Sequence, residues 1–294
     1  MKRFKKFVIE ADKGIILEVS EETNGKLIIK ATSEKKDYTN PPIPDGFRWM
    51  EGKWDEGFVI ESRSTYSHYV WIPVGYLDAD GTLDGKKFSK KFGRRNYLND
   101  EFSDEEFNEK LEDELLKQLE SIKKYGGFYI SRYNISRTPK GEYLSYRGFK
   151  PCVNISYYEA KRIAANLENS ETVKSHLVYG AEYDSVLAWI IKSKAKTIEE
   201  ITEDSGDCGN YVNNAGSLQT TLDTGIAESW SMKNIYDLAG NVDEWTQEKY
   251  GNRQVIRGGN CDDLGFNSPV ACRNWLDPMY NSNRTGFRVA LCIK

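Results

Sequence analysis

Short alternating runs of apolar and polar residues open the chain. GIILEVS and KLIIKATS are rich in β-branched residues, and Asn24-Gly25 between them favours a tight hairpin turn. Together with FVIE they predict a small β module over residues 1–40, which we expect to mediate attachment or oligomerisation. Charged residues and three prolines in EKKDYTNPPIP then indicate a linker. The aromatic, alternating pattern that follows from Gly46 is typical of further strands.

Three stretches place apolar residues at helical spacing. The first, SDEEFNEKLEDELLKQLESIKKYGG, starts with a predicted capping box of Ser103 and Glu106 and ends in lysines before a glycine. The second, SYYEAKRIAANL, repeats this start signal with Ser156 and Glu159, and the third is AEYDSVLAWII. We interpret their apolar faces as core. Regular periodicity is lost after Glu200, and such a long irregular region inside a domain is often functional.

Composition and charge exclude several classes of protein. The chain has 294 residues, and 41 basic against 45 acidic residues argue against nucleic-acid binding. It contains no apolar run long enough for a signal peptide or a membrane span, so we expect neither secretion by a leader nor membrane insertion. No two of the five cysteines form a C-x-x-C pair, which argues against a zinc site and indicates a reducing cytosol.

Five segments resemble the motifs of one family in order and spacing over residues 43–294. They are PCVNISYYEAKRIAANL, HLVYGAEYDSVLAWI, NIYDLAGNVDEWT, VIRGGN and TGFRVA. The family they resemble is that of the formylglycine-generating enzyme, also called the sulfatase-modifying factors. The resemblance implies an α+β, C-type-lectin-like fold with much irregular structure, in which the chain end pairs near the start. It also implies three functional branches: oxidases of sulfatase cysteines, iron enzymes that build sulfur-containing histidine derivatives, and non-catalytic binding proteins.

The residues at the family's catalytic positions argue against the two enzymatic branches. The oxidases carry two copper-binding cysteines in the pattern R-G-G-S-x-x-C-x4-C, and the matching positions here are Asp263 and Ser268. Copper(I) prefers thiolate ligands, so we expect no enzyme and assign no catalytic residue, although a divergent copper-dependent oxidase stays an alternative. Cys261 and Cys272 are interpreted as packing thiols. The iron branch requires a histidine cluster, whereas this chain has two isolated histidines.

The non-catalytic branch fits the remaining features. GGFYISRYNIS, GTLDGKKFSKKFGRRNY and IPDGFRWMEGKWDEGFVI resemble members from phages and prophages of Gram-positive bacteria, in which the segment between R-G-G and G-F-R contacts the ligand. The resemblance therefore implies a phage tail-type or retroelement-diversified variable protein that recognises a receptor, either a cell-surface protein or a glycan, through residues 260–284. We expect it to be made in the bacterial cytoplasm, to be a candidate virion component, and to form homo-oligomers, if any, through the N-terminal module.

Trp, Tyr and Arg commonly carry binding energy, and Asn and Asp supply adaptable hydrogen bonds. For Trp275 the alternative of packing inside the domain stays open. The candidate ligand-binding residues are Asp262, Asp263, Phe266, Asn267, Arg273, Asn274, Trp275, Asp277, Tyr280, Asn281 and Asn283.

A calcium ion is a further candidate. In the catalytic relatives the turn that resembles NIYDLAGNVDEW wraps calcium with side-chain and carbonyl oxygens, which are the ligands that this hard cation prefers. Asp243 replaces the usual tryptophan of the motif, so a turn held by hydrogen bonds alone stays an alternative. The matching positions are Asp237, Leu238, Gly240, Val242 and Glu244.

Overall fold

The computed structural model describes residues 15–21, 27–33, 39–74, 107–108, 113–214 and 217–294. The chain divides into two compact units, Met1–Asp37 and Tyr38–Lys294. In the first unit, β1 (Ile15–Glu21) and β2 (Leu27–Ser33) pair antiparallel, with Ile15 opposite Ser33 and Glu21 opposite Leu27. The two strands predicted from GIILEVS and KLIIKATS are therefore present. FVIE and the Asn24-Gly25 turn lie outside the described residues.

The second unit combines strands, helices and long irregular connections. Its strands are β3 (Phe47–Glu51), β4 (Val59–Ser62), β5 (His68–Ile72), β6 (Phe107–Asn108), β7 (Phe128–Ser131), β8 (Ser136–Arg137), β9 (Tyr143–Leu144), β10 (Val173–Leu177), β11 (Ser231–Met232), β12 (Ile235–Tyr236), β13 (Asp243–Tyr250), β14 (Arg253–Arg257), β15 (Asn274–Leu276), β16 (Thr285–Phe287) and β17 (Val289–Ile293). Its helices are α1 (Asp113–Tyr125), α2 (Tyr157–Leu167), α3 (Gly180–Lys192) and α4 (Ile198–Thr202). Within the described ranges, no helix is long and apolar enough to cross a membrane.

A six-stranded sheet in the order β10-β17-β7-β5-β4-β3 forms the centre of this unit, and all neighbours in it are antiparallel. The sequence HYVWI of β5 is buried throughout, because side chains alternate between the two faces of a strand and both faces are covered. Val70 and Ile72 pack with residues of α1 and α3, whereas Tyr69 and Trp71 pack with residues of α2 and with Trp245. The last strand, β17, lies in the same sheet as β3 but not beside it.

A second sheet in the order β15-β14-β13-β16 carries the irregular C-terminal region. β13 and β16 run parallel, with Asp243 opposite Thr285, and the other neighbours are antiparallel. The chain leaves this sheet after β14, returns for the three residues of β15 and returns again at β16. Residues 260–284 are thus anchored to the sheet at both ends and once in the middle.

The helices follow the sequence with one exception. At α2 the predicted capping box is present: the Glu159 amide donates to the Ser156 Oγ at 3.3 Å, and the Ser156 amide donates to the Glu159 Oε2 at 3.3 Å. α3 also forms as predicted. α1, however, begins at Asp113, and the prediction of a helix from residue 103 is wrong, because Phe107–Asn108 instead pairs with β13. The predicted cap at Ser103 lies outside the described residues.

Candidate ligand-binding surface

Two glycines determine how the chain enters the 260–284 segment. Gly258 and Gly259 have φ angles of +93° and +72°, in the left-handed region that favours glycine. A Cβ atom on Gly258 would lie 2.9 Å from the Leu238 carbonyl oxygen, and one on Gly259 would lie 2.7 Å from the Ser268 carbonyl oxygen. The glycine pair therefore combines a backbone turn with two close approaches.

Buried ion pairs fix the middle of the 260–284 segment to the core. The Arg257 Nη2 donates to the Asp184 Oδ1 at 2.7 Å, and the Arg273 Nη2 donates to the Asp184 Oδ2 at 2.5 Å. The Arg273 Nε also lies 3.0 Å from the Glu248 Oε1. Burial lowers the pKa of Arg273, but the carboxylates of Asp184 and Glu248 outweigh burial and raise this pKa above its usual range. The network ties the segment to α3 and β13.

The position of Arg273 corrects one prediction. This residue was expected on the binding surface, but it is 3% exposed and its guanidinium is engaged by two carboxylates. Residues 268–273 are all buried, so the segment is not one continuous exposed loop. It consists of a first stretch, residues 260–267, and a second stretch, residues 274–284, separated by a buried one. We therefore leave Arg273 out of the candidate surface.

The first stretch packs on the loop that follows α4. The Ser205 amide donates to the Gly265 carbonyl at 3.2 Å, and the Val212 amide donates to the Asp263 carbonyl at 2.9 Å. The exposed Asp262 carboxylate accepts two hydrogen bonds from Arg284, at 2.6 and 3.0 Å, which joins the first stretch to the end of the second. Asp263 is half-buried, whereas Phe266 and Asn267 are exposed on this stretch.

The second stretch packs against the N-terminal end of α2. The Asn154 amide donates to the Ser282 carbonyl at 2.7 Å, and the Tyr157 amide donates to the Pro278 carbonyl at 3.1 Å. Trp275 is half-buried, and its ring lies 4.4 Å from the ring of Tyr250, measured between centroids. Asn274 is half-buried as well, and the exposed candidates of this stretch are Asp277, Tyr280, Asn281 and Asn283.

A family model agrees with the motif evidence. The model, described as Sulfatase-modifying factor enzyme 1-like domain, matches residues 60–293. The chain belongs to this family. Its α+β fold with short strands and much irregular structure confirms the fold expected from the sequence. No curated protein sequence matches the chain.

The solved structures with a similar fold include the following three. They are Treponema denticola variable protein 1 (17% identity, TM-score 0.41, covering 57% of this chain and 85% of the other), PvdO from Pseudomonas aeruginosa (19%, 0.43, 57% and 81%) and CarF (17%, 0.40, 57% and 87%). At these values the likeness concerns the fold alone.

In this chain Asp263 occupies the position that matches the first cysteine of the family's oxidases, and its carboxyl group lies close to that of Asp243. The Asn260 Nδ2 donates to the Asp243 Oδ2 at 2.7 Å and to the Asp263 Oδ2 at 3.0 Å. Burial, together with the nearby negative charge of Asp263, raises the pKa of Asp243 to about 8. The neighbouring Cys261 is buried, and burial raises the pKa of its thiol, which disfavours the thiolate that acts as nucleophile or copper ligand.

The turn that binds calcium in catalytic relatives offers an unfavourable ligand set in this chain. The Glu244 Oε1 already accepts from the Arg288 Nε at 2.6 Å, so a guanidinium cation occupies the position beside the main candidate carboxylate. The Asp237 Oδ2 accepts from a backbone amide at 2.7 Å, and the Leu238 carbonyl accepts from the Tyr183 hydroxyl at 3.0 Å. Of the five predicted positions, Asp237, Leu238, Gly240, Val242 and Glu244, three thus already have hydrogen-bond partners that compete with a calcium ion, and the calcium site stays a prediction.

Several residues around the segment were not predicted from the sequence. Met279 is 68% exposed next to Tyr280, and Tyr158 is 56% exposed at the start of α2. The sequence contains a signal for the exposure of Tyr158. Tyr157 and Tyr158 are adjacent on a helix, and adjacent residues do not lie on the same face. Lys249 of β13 is exposed as well. In the sheet, β14 lies between β13 and β15, and β15 belongs to the second stretch.

Proposed function

We propose that this chain is a non-catalytic ligand-binding protein that recognises a cell-surface protein or glycan through the two exposed stretches of residues 260–284. One observation carries this proposal: exposed polar and aromatic side chains stand on a segment whose middle is fixed by buried ion pairs. Binding surfaces of this kind lose little conformational freedom when they bind, because their support is already ordered. The side-chain types match those that dominate recognition surfaces.

The proposal is tested with three variants of the second stretch, Asn274→Ala, Tyr280→Ala and Asn281→Ala. Each should change the free energy of unfolding by less than about 0.5 kcal/mol, as is usual for surface positions. At least one should weaken binding by more than about 1 kcal/mol, as expected of a binding hot spot. Binding is measured on a glycan array and on intact Gram-positive cells, and stability by thermal unfolding.

Two further variants serve as references. Phe287→Ala removes a fully buried ring and should cost about 3 kcal/mol or more of stability. Tyr66→Ala removes a ring that is 60% exposed outside the segment and should leave binding unchanged. Unfolding of all three loop variants as readily as Phe287→Ala, or full binding by all three, would contradict the proposal.

We further propose that the protein is of the phage tail-type or retroelement-diversified class, made in the bacterial cytoplasm and carried on a virion. The support is the resemblance of GGFYISRYNIS and IPDGFRWMEGKWDEGFVI to phage and prophage members. The gene neighbourhood tests this origin. A reverse transcriptase gene and a near-copy of the final coding segment would indicate diversification, whereas tail genes alone would indicate a fixed receptor-binding protein.

The alternative of a copper-dependent oxidase has a direct assay. The protein is incubated with copper(I) and a peptide that contains cysteine, and aldehyde formation is followed. Because Asp263 and Ser268 occupy the thiolate positions and the buried Cys261 favours its neutral thiol, we expect no aldehyde.

A further inference from the structure

A cleft of about 370 Å³ lies where the N-terminal end of α2 meets the hairpin of β13 and β14. Pro278 of the second stretch forms part of its wall, so the cleft adjoins the surface proposed for recognition. Its size falls at the lower end of the range of about 300–1,000 Å³ that is typical of small-molecule sites. We name it the tyrosine cleft, after Tyr157, Tyr158 and Tyr179, which line it.

The walls of the tyrosine cleft offer flat apolar surfaces. The rings of Tyr157 and Tyr158 lie 5.4 Å apart at 66°, edge to face, and because Tyr157 is 5% exposed the accessible aromatic surface is that of Tyr158. Tyr158 is 56% exposed at the start of α2, so its ring is accessible from the cleft. An aromatic ring with a polar hydroxyl suits a ligand with both apolar and polar faces.

One polar group of the cleft lacks a hydrogen-bond partner. The Gln247 Nε2 donates to the Glu114 Oε2 at 3.0 Å and to the Leu177 carbonyl at 2.8 Å, so both amide protons have acceptors. These acceptors also fix the orientation of the amide, because a flip would bring its oxygen against a carboxylate and a carbonyl. The Gln247 Oε1 is buried and has no partner among the described residues. An unpaired buried acceptor is costly, and a hydroxyl donor from a ligand would satisfy it.

The two charged side chains that line the cleft are both cationic, whereas the Glu114 carboxylate that accepts from Gln247 is not among its lining residues. Lys161 and Lys249 line it, and none of the described residues that line it carries a carboxylate. The whole chain has a net charge of −4, so this local positive charge is not a general property of the surface. A positively charged cleft favours an anionic ligand.

We propose that the tyrosine cleft binds a carboxylated pyranose, such as a uronic or sialic acid residue at the end of a surface glycan. The sugar ring packs on Tyr158, a hydroxyl donates to Gln247, and the carboxylate pairs with Lys249. This inference rests on the proposed function and deepens it by naming the class of ligand.

The test uses the full chain and three glycosides. Methyl glucuronide is compared with methyl glucoside, which carries a hydroxymethyl group in place of the carboxylate, and a methyl sialoside is included as a second acidic sugar. Binding is followed by titration with NMR detection. At least one acidic sugar should bind about tenfold more tightly than the neutral glucoside, as expected for one charged hydrogen bond.

Variants with matched controls locate the site. Lys249→Met should abolish the preference for the acidic sugar, and Tyr158→Ala should weaken binding of acidic and neutral sugars alike. Lys140→Met and Tyr66→Ala, at exposed positions outside the cleft, should change neither. The inference is overturned by binding of neither acidic sugar, by equal binding of the neutral glucoside, or by acetate binding as tightly as the sugars.

The outcome is separable from that of the proposed function. If acidic sugars fail to bind but Tyr280→Ala or Asn281→Ala weakens binding to cells, the cleft inference is wrong and the recognition surface stands. If the protein binds neither cells nor any glycan on the array, the proposed function itself fails.

Discussion

At the scale of single residues, two arginines of the same segment differ in what surrounds them. Arg273 is buried between Asp184 and Glu248, whereas Arg284 pairs with Asp262, whose side chain is 55% exposed. Removing one partner of a buried ion network leaves uncompensated charges away from water, whereas an exposed pair contributes little. Substitutions at the two positions therefore form a matched test of whether the buried ion pairs stabilise the 260–284 segment.

We predict that Arg273→Met costs about 3–5 kcal/mol of unfolding free energy, since it leaves the buried carboxylates of Asp184 and Glu248 with Arg257 as their one nearby cation and so with one uncompensated negative charge. Arg284→Met should cost less than about 1 kcal/mol. Urea denaturation of both variants at neutral pH measures the difference. Equal costs would show that the buried network does not support the segment.

Asp243 provides a prediction on pH. Its pKa is raised to about 8 in the folded protein, against about 3.9 for an unperturbed aspartate. The folded state therefore binds one proton more than the unfolded state between these two values. By linkage, the stability that this proton contributes is complete below about pH 4 and is lost as the pH rises towards about 8.

Asp243→Asn keeps the acceptor for Asn260 but cannot ionise. The variant should exceed the original protein in stability by about 2 kcal/mol or more at about pH 9, and the gain should vanish near pH 4. Denaturation across this range measures the gain, with Asp55→Asn as an exposed control. A gain that does not depend on pH would contradict a buried, proton-binding Asp243.

The sequence could indicate which residue types belong to the binding segment but not which of them are buried. The exposure of Tyr280, Asn281 and Asn283 agrees with their assignment from residue type and family resemblance. The burial of Arg273 could not be predicted, because its partners lie 89 and 25 residues away along the chain. Long-range partners of this kind decide whether an arginine is a surface anchor or part of the core.

At the scale of elements, local signals succeeded where local bonds decide the structure. The capping box of α2 involves residues three apart, so the sequence alone was sufficient. The start of α1 was missed because Phe107–Asn108 pairs with Tyr250 and Lys249, more than a hundred residues later. Helical periodicity is a weak guide where a distant strand competes for the same backbone.

The turn after β14 yields a prediction at this scale. Gly258→Ala adds a Cβ atom to a residue at φ +93° and brings it 2.9 Å from the Leu238 carbonyl oxygen. Gly148→Ala adds one at φ +82° with nothing within 4 Å, so it carries the backbone strain without the clash. We expect a loss of about 1–2 kcal/mol for Gly148→Ala and a clearly larger loss for Gly258→Ala, measured by thermal unfolding. Equal losses would show that the close approach does not matter.

At the scale of the whole molecule, the two units offer a truncation test. The unit Tyr38–Lys294 contains both hydrophobic clusters and both large sheets. A domain with its own core folds without its neighbour. We therefore predict that residues 38–294 alone unfold cooperatively within about 2 °C of the main transition of the full chain, measured by calorimetry. Loss of the transition would mean that the first unit is needed for folding.

The buried stretch 268–273 suggests how a combinatorial library should be designed on this scaffold. Randomising all of residues 260–284 would place random side chains at Arg273 and its buried neighbours, and most members would fail to fold. Randomising only the exposed positions of the first and second stretches keeps the support intact and yields two patches that can be selected separately. Such a library would reach different ligands from one framework with a much larger folded fraction.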